Sequence, residues 1–131
     1  MPVDDAAAQP FAYAVLRVVP SAQRGERVNV GVVLFCRRHD FLDLRTGLDR
    51  ARLAALAPEL DPEPIRSRLQ ALRLILRGDP AGGALAALEP SERFGWLVAP
   101  SSTIIQASEV HAGMTTDPHA TLERLFEELV A

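Results

Sequence analysis

The sequence predicts a single α+β domain, built as an antiparallel sheet of about four strands with helices packed mainly on one face. The first third of the chain is rich in aromatic and β-branched residues that follow the strand period. Residues 49–78 instead carry apolar side chains at helical spacing, and this pattern returns near the C-terminal end. Strands that come first and helices that follow are typical of a layered α+β arrangement.

Three strands are predicted before residue 46. The first is the apolar run 11–19, which Pro20 is expected to end. The second spans residues 28–36 and is expected to be central because both of its faces are largely apolar. Gly31 inside it reflects either packing alone, which we expect, or a bulge or the close approach of another backbone. The third, residues 41–45, completes a hairpin. The face of the second strand predicted to be continuous consists of Val28, Val30, Val32, Leu34 and Cys36.

Helices are predicted where an aspartate stands just before a helical pattern and can accept a backbone hydrogen bond. Asp49 precedes a short helix, and Asp61, followed by proline, begins a longer one that Gly78 ends. Asp117, also followed by proline, begins the closing helix. The features predicted between the last two helices are a loop at residues 79–83, a capped turn at 91–94 and a fourth strand at 104–106.

Length and composition predict one domain that needs no disulfide or bound metal to fold. The chain has 131 residues, of which 48% are hydrophobic and 24% charged, as in an ordinary globular protein. Residues 1–10 are predicted to be a disordered arm and residues 11–131 the domain. No apolar run is long enough for a membrane helix and the N-terminus is acidic, so we expect no membrane association and a cytoplasmic location. The single cysteine, Cys36, excludes an internal disulfide.

Charge is distributed unevenly along the chain. Twelve arginines and seven acidic residues lie between Arg17 and Arg77, whereas the rest holds two arginines and ten acidic residues. All basic residues are arginines, which suit phosphates and carboxylates, although a coding bias toward Arg and Ala is the simpler cause. Arg66, Arg73 and Arg77 lie opposite the apolar stripe of the second helix. They form either a solvated helix face or a surface for a phosphate backbone, and we expect the former.

The sequence contains no strong catalytic or cofactor motif: no phosphate-binding glycine loop, no dinucleotide motif and no serine elbow. We therefore expect no cofactor. His39, His111 and His119 are far apart in sequence, so no metal site is expected either. Cys36 with His39 or His111 has the composition of a nucleophilic cysteine pair, but Cys36 continues an apolar strand face and is expected to be buried packing.

The connection between the first two strands is a candidate binding segment. Arg24 and Glu26 lie in it, and Asn29 follows just inside the second strand. This spacing places a guanidinium, a carboxylate and an amide close together, where an anionic ligand or the acidic side chain of a partner could dock. Alternatively, Gly25 serves the turn and the charges face water.

A second candidate is the polar segment 101–111, which contains Thr103, Gln106 and His111. Hydroxyls and backbone amides at a loop-to-strand transition can hold a phosphate or a carboxylate. The same side chains can instead satisfy local backbone groups and make structural hydrogen bonds.

Four sequence blocks occur in a fixed order, at residues 11–20, 24–34, 91–94 and 101–106. With the stretch Val-His-Ala-Gly at 110–113 and the closing helix, they resemble the bacterial family catalogued as domain of unknown function 3037. The resemblance implies no activity, substrate or cofactor. It marks as motif positions, without roles, Arg24, Glu26, Asn29, Arg93, Thr103, Gln106 and His111.

The resemblance also implies a partner, because members of this family tend to be encoded beside HipA-like kinase-fold proteins. The family favours an arginine where this chain has Ser101, which weakens the idea of an anion clamp in the 101–111 segment.

The sequence is therefore compatible with three functions. The leading hypothesis is a non-enzymatic accessory or binding module that docks a protein partner, such as a HipA-like kinase-fold protein, through segments 24–29 and 101–111. The alternative is an enzyme acting on a phosphorylated or carboxylated small molecule, with His111 as acid or base and Arg24 or Arg93 as anion clamp. The third is nucleic-acid binding through the arginines of the second helix. Homo-oligomerisation is left open.

Overall fold

The computed structural model describes residues 8–21, 23–101 and 103–131. Within them an antiparallel five-stranded sheet combines with four α-helices, so the predicted α+β class is confirmed. The strands are β1 (Gln9–Ser21), β2 (Glu26–Cys36), β3 (Phe41–Thr46), β4 (Ile105–Ala107) and β5 (His111–Thr115). The helices are α1 (Arg50–Leu56), α2 (Pro62–Leu76), α3 (Pro90–Val98) and α4 (Pro118–Leu129). No helix of this described part has the length and apolar character needed to cross a membrane.

Strand β1 organises the sheet. The strands lie in the order β3-β2-β1-β4, and β5 pairs with β1 as well. Because β1 is 13 residues long, β5 and β4 share one of its edges: β5 pairs with residues 9–13 and β4 with residues 16–18. Ser108 lies between β4 and β5 and hydrogen-bonds to the part of β1 that neither strand pairs with. Its backbone N–H donates to the carbonyl of Val15 at 2.8 Å, and its buried hydroxyl accepts from the Val15 N–H at 2.9 Å. The hydrogen bonds of β1 therefore continue between β4 and β5.

A bulge in β2 changes which face its side chains occupy. Leu16 pairs with Gly31, but Arg17 pairs with Asn29, so Val30 is an extra residue. The alternation of side chains between the two faces of the sheet shifts at this point. The prediction of one continuous apolar face on β2 is therefore wrong. Val28 and Val30 pack into one core together with Val33. The residues that face the opposite core are Val32, Leu34 and Cys36.

Gly31 stands beside this bulge and close to β3. A Cβ atom at this position would lie 3.1 Å from the carbonyl oxygen of Arg45 and 3.3 Å from the methyl carbon of Thr46. The close backbone approach considered for Gly31 is therefore present, whereas the bulge is formed by the neighbouring residue Val30.

The sheet carries a hydrophobic core on each face. Helices α1, α2 and α3 cover the first core, through Leu53 of α1, Leu69 of α2 and Phe94 of α3. Helix α4 covers the second core, where Leu122, Leu125 and Phe126 pack on β1 and β2. Helices thus lie mainly on one face, as predicted, while the closing helix occupies the other.

Several boundaries differ from the predictions. β1 starts at Gln9, inside the predicted arm, whose residues 1–7 lie outside the described residues. β1 also continues through Pro20 to Ser21, because a register shift between Val18 and Ser21 leaves room for a residue without an N–H. The capped turn predicted at residues 91–94 is part of α3, which begins with Pro90 at its first position.

Strand β5 was not predicted. Its sequence, His-Ala-Gly-Met-Thr, has few residues that favour strands. It forms because β1 extends back to Gln9 and offers a free edge, along which residues 111–115 pair. The ring of Phe11 lies over Gly113, where a Cβ atom would come within 2.7 Å of it.

Candidate functional site

The β1–β2 turn brings Arg24 and Glu26 together, as the sequence predicted. Gly25 between them has a φ of 70°, a left-handed conformation that glycine adopts without strain. The Nε of Arg24 lies 2.6 Å from a carboxylate oxygen of Glu26; the side chain of Arg24 is largely in solvent, and that of Glu26 is partly buried. The two charges therefore neutralise each other, and Gly25 has the turn role considered for it.

Two predicted motif residues hold the fold together. The side-chain amide of Asn29 donates to the carbonyl of Leu129 at 2.9 Å, tying β2 to the end of α4. The guanidinium of Arg93 donates to the carbonyls of Leu76, at 3.3 Å, and Leu88, at 2.5 Å. Arg93 thus joins α3 to the end of α2 and to the residues just before α3. Leu129 and Leu76 are the last residues of their helices, where carbonyls lack intrahelical donors, and this explains the contacts to these two residues.

Thr103 uses its hydroxyl hydrogen locally. Its Oγ1 donates to the carbonyl of Ile105 at 2.7 Å, so in the 2.9 Å contact between the hydroxyls of Ser101 and Thr103 the donor is Ser101. Neither hydroxyl hydrogen remains for an anion. Beside them lies a cavity of about 420 Å³ with a mainly apolar wall that includes Leu72, Trp96 and Leu97.

His111 lies at the opposite end of β1 from the Arg24 turn. It pairs with Tyr13, and the centroids of the two rings are 5.2 Å apart. The turn after Ser21 is about 26 Å further along the strand at the usual rise per residue. Arg93 belongs to a helix of the first core, whereas Tyr13 packs on the second. The structure does not bring His111, Arg24 and Arg93 together, so their combined acid–base and clamp role remains a prediction.

Gln106 belongs to a polar row that crosses the sheet. Arg17 on β1 pairs with Gln106 on one side and with Asn29 on the other, and directly paired residues point to the same face. Arg27 precedes Asn29 by two residues on β2 and shares that face. Arg17, Arg27 and Gln106, which we call the Arg17 cluster, line a hollow of about 190 Å³ together with Gly25.

The Arg17 cluster carries two positive charges that form no ion pair in the described chain. The Nε of Arg17 is buried and has no hydrogen-bond partner among the described residues. The pKa of Arg17 is lowered from its ordinary value by burial and then by repulsion from Arg27, while attraction to Glu109 opposes both effects. An anion in the hollow would offset the repulsion between the two guanidinium groups.

A second hollow lies between the Arg17 cluster and the end of α4, and Arg52, which borders it, is paired with Asp49 at 3.3 Å. Arg27 also borders this second hollow, of about 360 Å³, which includes Asn29, Arg52 and Leu129. Arg52 donates to the carbonyl of Val130 at 2.8 Å. Asn29 therefore positions α4 beside the cluster, and Arg27 stands between the two hollows.

The family model described as "Protein of unknown function (DUF3037)" matches residues 13–130, which is nearly the whole chain. The chain belongs to this family. The match confirms the resemblance of the sequence blocks, and it includes every residue of the Arg17 cluster. No curated protein and no solved structure is significantly similar to this DUF3037 domain.

The Arg17 cluster of this DUF3037 domain was missed in the sequence, although one signal was present. Arg17 is the one charged residue within the apolar run 11–19. A charged side chain in a central strand must either reach solvent outside the area of the sheet that helices cover, or contact a binding partner. Arg27 lies inside the candidate binding segment 24–29, but nothing in the sequence distinguished its role from that of Arg24.

Cys36 of the DUF3037 domain is packed in the second core, as expected. Its side chain is fully buried, and its Sγ donates to the carbonyl of Pro10 at 3.4 Å. Among residues 8–21, 23–101 and 103–131, no group of three or more His, Cys, Asp or Glu residues is placed to hold a metal ion.

Two of the three arginines predicted to line this helix face, Arg66 and Arg77, have acidic neighbours, whereas the buried Nε of Arg73 has no hydrogen-bond partner among the described residues. Arg66 lies 3.2 Å from Glu63, whose pKa is lowered by its hydrogen bonds to Arg50 and Arg66. Arg77 lies 2.9 Å from Asp43. This helix face of the DUF3037 domain therefore offers less net positive charge than its sequence implied, and nucleic-acid binding there remains the third prediction.

Proposed function

We propose that this domain is a non-enzymatic binding module that docks an acidic segment of a partner protein on the Arg17 cluster. One observation carries the proposal: the buried Nε of Arg17 has no partner in the described chain and lies near a second guanidinium that forms no ion pair. Leaving a buried donor of a charged group without an acceptor is costly. A carboxylate from a partner would supply that acceptor and offset the repulsion from Arg27.

The chemistry of the hollow supports binding over catalysis. A general acid or base needs a pKa near the working pH and must reach the reacting atom. The hollow is lined by Arg17, Val19, Gly25, Arg27, Gln106 and Ala107, and no His, Cys, Lys, Asp or Glu is among these residues. Its volume of about 190 Å³ is below the range usual for small-molecule sites, but it can admit one carboxylate.

The partner proposed is a protein because the cluster lies on a sheet face and continues past Arg27 into a second hollow. An extended acidic segment can follow such a surface, and complementary charge favours specificity and rapid association. The family resemblance makes a HipA-like kinase-fold protein the first partner to test. A cytoplasmic location is part of this proposal.

The test is affinity capture from native cell extract with three tagged baits: the wild type, R17Q/R27Q and the control R38Q/R124Q. The control removes the same charge from arginines that lie outside the cluster. We expect a stoichiometric protein with the wild type and the control, and its loss with R17Q/R27Q at physiological salt. Circular dichroism checks that all three baits are folded.

Equal capture by R17Q/R27Q and the wild type would contradict the proposal. Recovery of a small anion with no protein would also contradict it, and would favour the small-molecule alternative. The captured protein is then purified and its affinity for each bait is measured by calorimetry.

A further inference from the structure

The edge of the sheet formed by β4 and β5 carries exposed apolar side chains. In the described chain the exposed large hydrophobic residues are Ile104, Val110 and Met114, and all three lie along this edge. Met114 is 64% exposed and Val110 is 46% exposed. Val110 directly precedes β5, and Met114 lies four positions further on, with exposed Ala112 midway between them. When the strand is extended by this one residue, its alternation places all three side chains on one face.

The backbone of β5 has hydrogen-bonding groups that point away from β1. The N–H of Val19 donates to Ile104, and the carbonyl of Val15 accepts from Ser108, so odd-numbered residues of β1 direct their groups to this edge. Their β5 partners are residues 111, 113 and 115. Alternation along an antiparallel strand then directs the N–H and carbonyl groups of Ala112 and Met114 outward.

The opposite edge of the sheet is protected by charge, whereas the β5 edge is not. β3 carries Asp43, which is paired with Arg77, and Arg45, which lies 3.5 Å from Glu123. Charged side chains on an edge strand discourage pairing with another chain. The strand His111–Thr115 contains no Asp, Glu, Lys or Arg.

We propose that a second copy of this chain pairs with β5, antiparallel and across a two-fold axis at Ala112. A two-fold contact places the same surface on both subunits, so a charged strand would meet its own charge. An uncharged strand with outward N–H and carbonyl groups avoids that repulsion and can pair with itself. The sheet then continues from one copy into the next.

The register between the two β5 strands is selected by the charges and by the apolar side chains that each register brings together. With the axis at Ala112, Val110 lies opposite Met114 of the partner subunit, and this contact occurs twice. Ala112 faces the partner subunit's Ala112 as a hydrogen-bonded pair. An axis at Gly113 would instead place Glu109 opposite Asp117 of the partner subunit, and facing like charges are destabilising. A contact this short belongs with weak interfaces, so we expect dissociation roughly in the micromolar range.

The test is sedimentation velocity of the full chain over a concentration series through the micromolar range. We expect a monomer–dimer equilibrium for the wild type. In V110K/M114K, ammonium groups face each other twice and two apolar contacts are lost, so dimerisation should weaken by at least about 30-fold. In V110E/M114K, each introduced carboxylate faces an introduced ammonium of the partner subunit, and the dimer should return.

The control A54K/A55K adds the same charge to exposed positions of α1 and should dimerise like the wild type. A wild type that stays monomeric throughout the series would overturn the proposal. So would a V110K/M114K variant that dimerises normally, or a folded V110E/M114K variant that does not recover.

Discussion

Replacing Phe126 with alanine is expected to lower the free energy of unfolding by about 3–5 kcal/mol. Phe126 is 7% exposed and belongs to α4, which covers the second core. Its ring packs against Gly47, where a Cβ atom would come within 2.8 Å, and the guanidinium of Arg45 lies 4.8 Å from the ring centroid. Truncation removes these contacts and leaves a cavity beneath the helix.

Urea and thermal unfolding, followed by circular dichroism, measure this effect. We expect the midpoint temperature to fall by about 10 °C or more. The control R45M removes the cation above the ring but keeps an apolar stem, so it should cost less than about 1 kcal/mol. A loss below about 1 kcal/mol for F126A would show that α4 contributes little to the stability of the sheet.

Charge reversal in the Arg17 cluster is expected to weaken the complex with the partner protein by at least about 100-fold. R17E/R27E replaces two guanidinium groups that attract an acidic segment with two carboxylates that repel it. Hydrogen bonds to charged groups contribute about 1.5–3 kcal/mol each, so losing two of them already reaches this effect. Calorimetry with the purified partner measures it.

The matched control for this reversal is R24E/E26R. It exchanges the charges of an exposed ion pair at the rim while keeping the net charge, so the affinity should change only a few-fold. The affinity of the wild-type domain should also fall as salt rises, because screening weakens charge contacts. Unchanged affinity in a folded R17E/R27E variant would exclude the cluster as the docking surface.

The sequence predicts the elements that depend on local pattern. The strands at residues 11–19, 28–36 and 41–45 and the helices after Asp49, Asp61 and Asp117 all appear in the structure. The features it missed depend on distant residues. β5 exists because of its pairing with residues 9–13, and the face change in β2 depends on the position of the extra residue Val30 opposite β1.

The candidate site shows the same limit. Arg24 and Glu26 are close in sequence, and their contact was predictable from the turn. Arg17, Arg27 and Gln106 come from three strands, and only the register of the sheet brings them together. The bulge at Val30 is part of the cause, because it places Asn29 and therefore Arg27 on the same face as Arg17.

The central claim is that the Arg17 cluster binds an anionic group. The most direct measurement is a nuclear magnetic resonance titration of the ¹⁵N-labelled domain with a short glutamate-rich peptide, observing arginine Nε–Hε and glutamine side-chain signals. We expect saturable shifts at Arg17, Arg27 and Gln106, with Arg38 and Arg124 unchanged. Shifts that are equal at all observed arginines and do not saturate would contradict this claim.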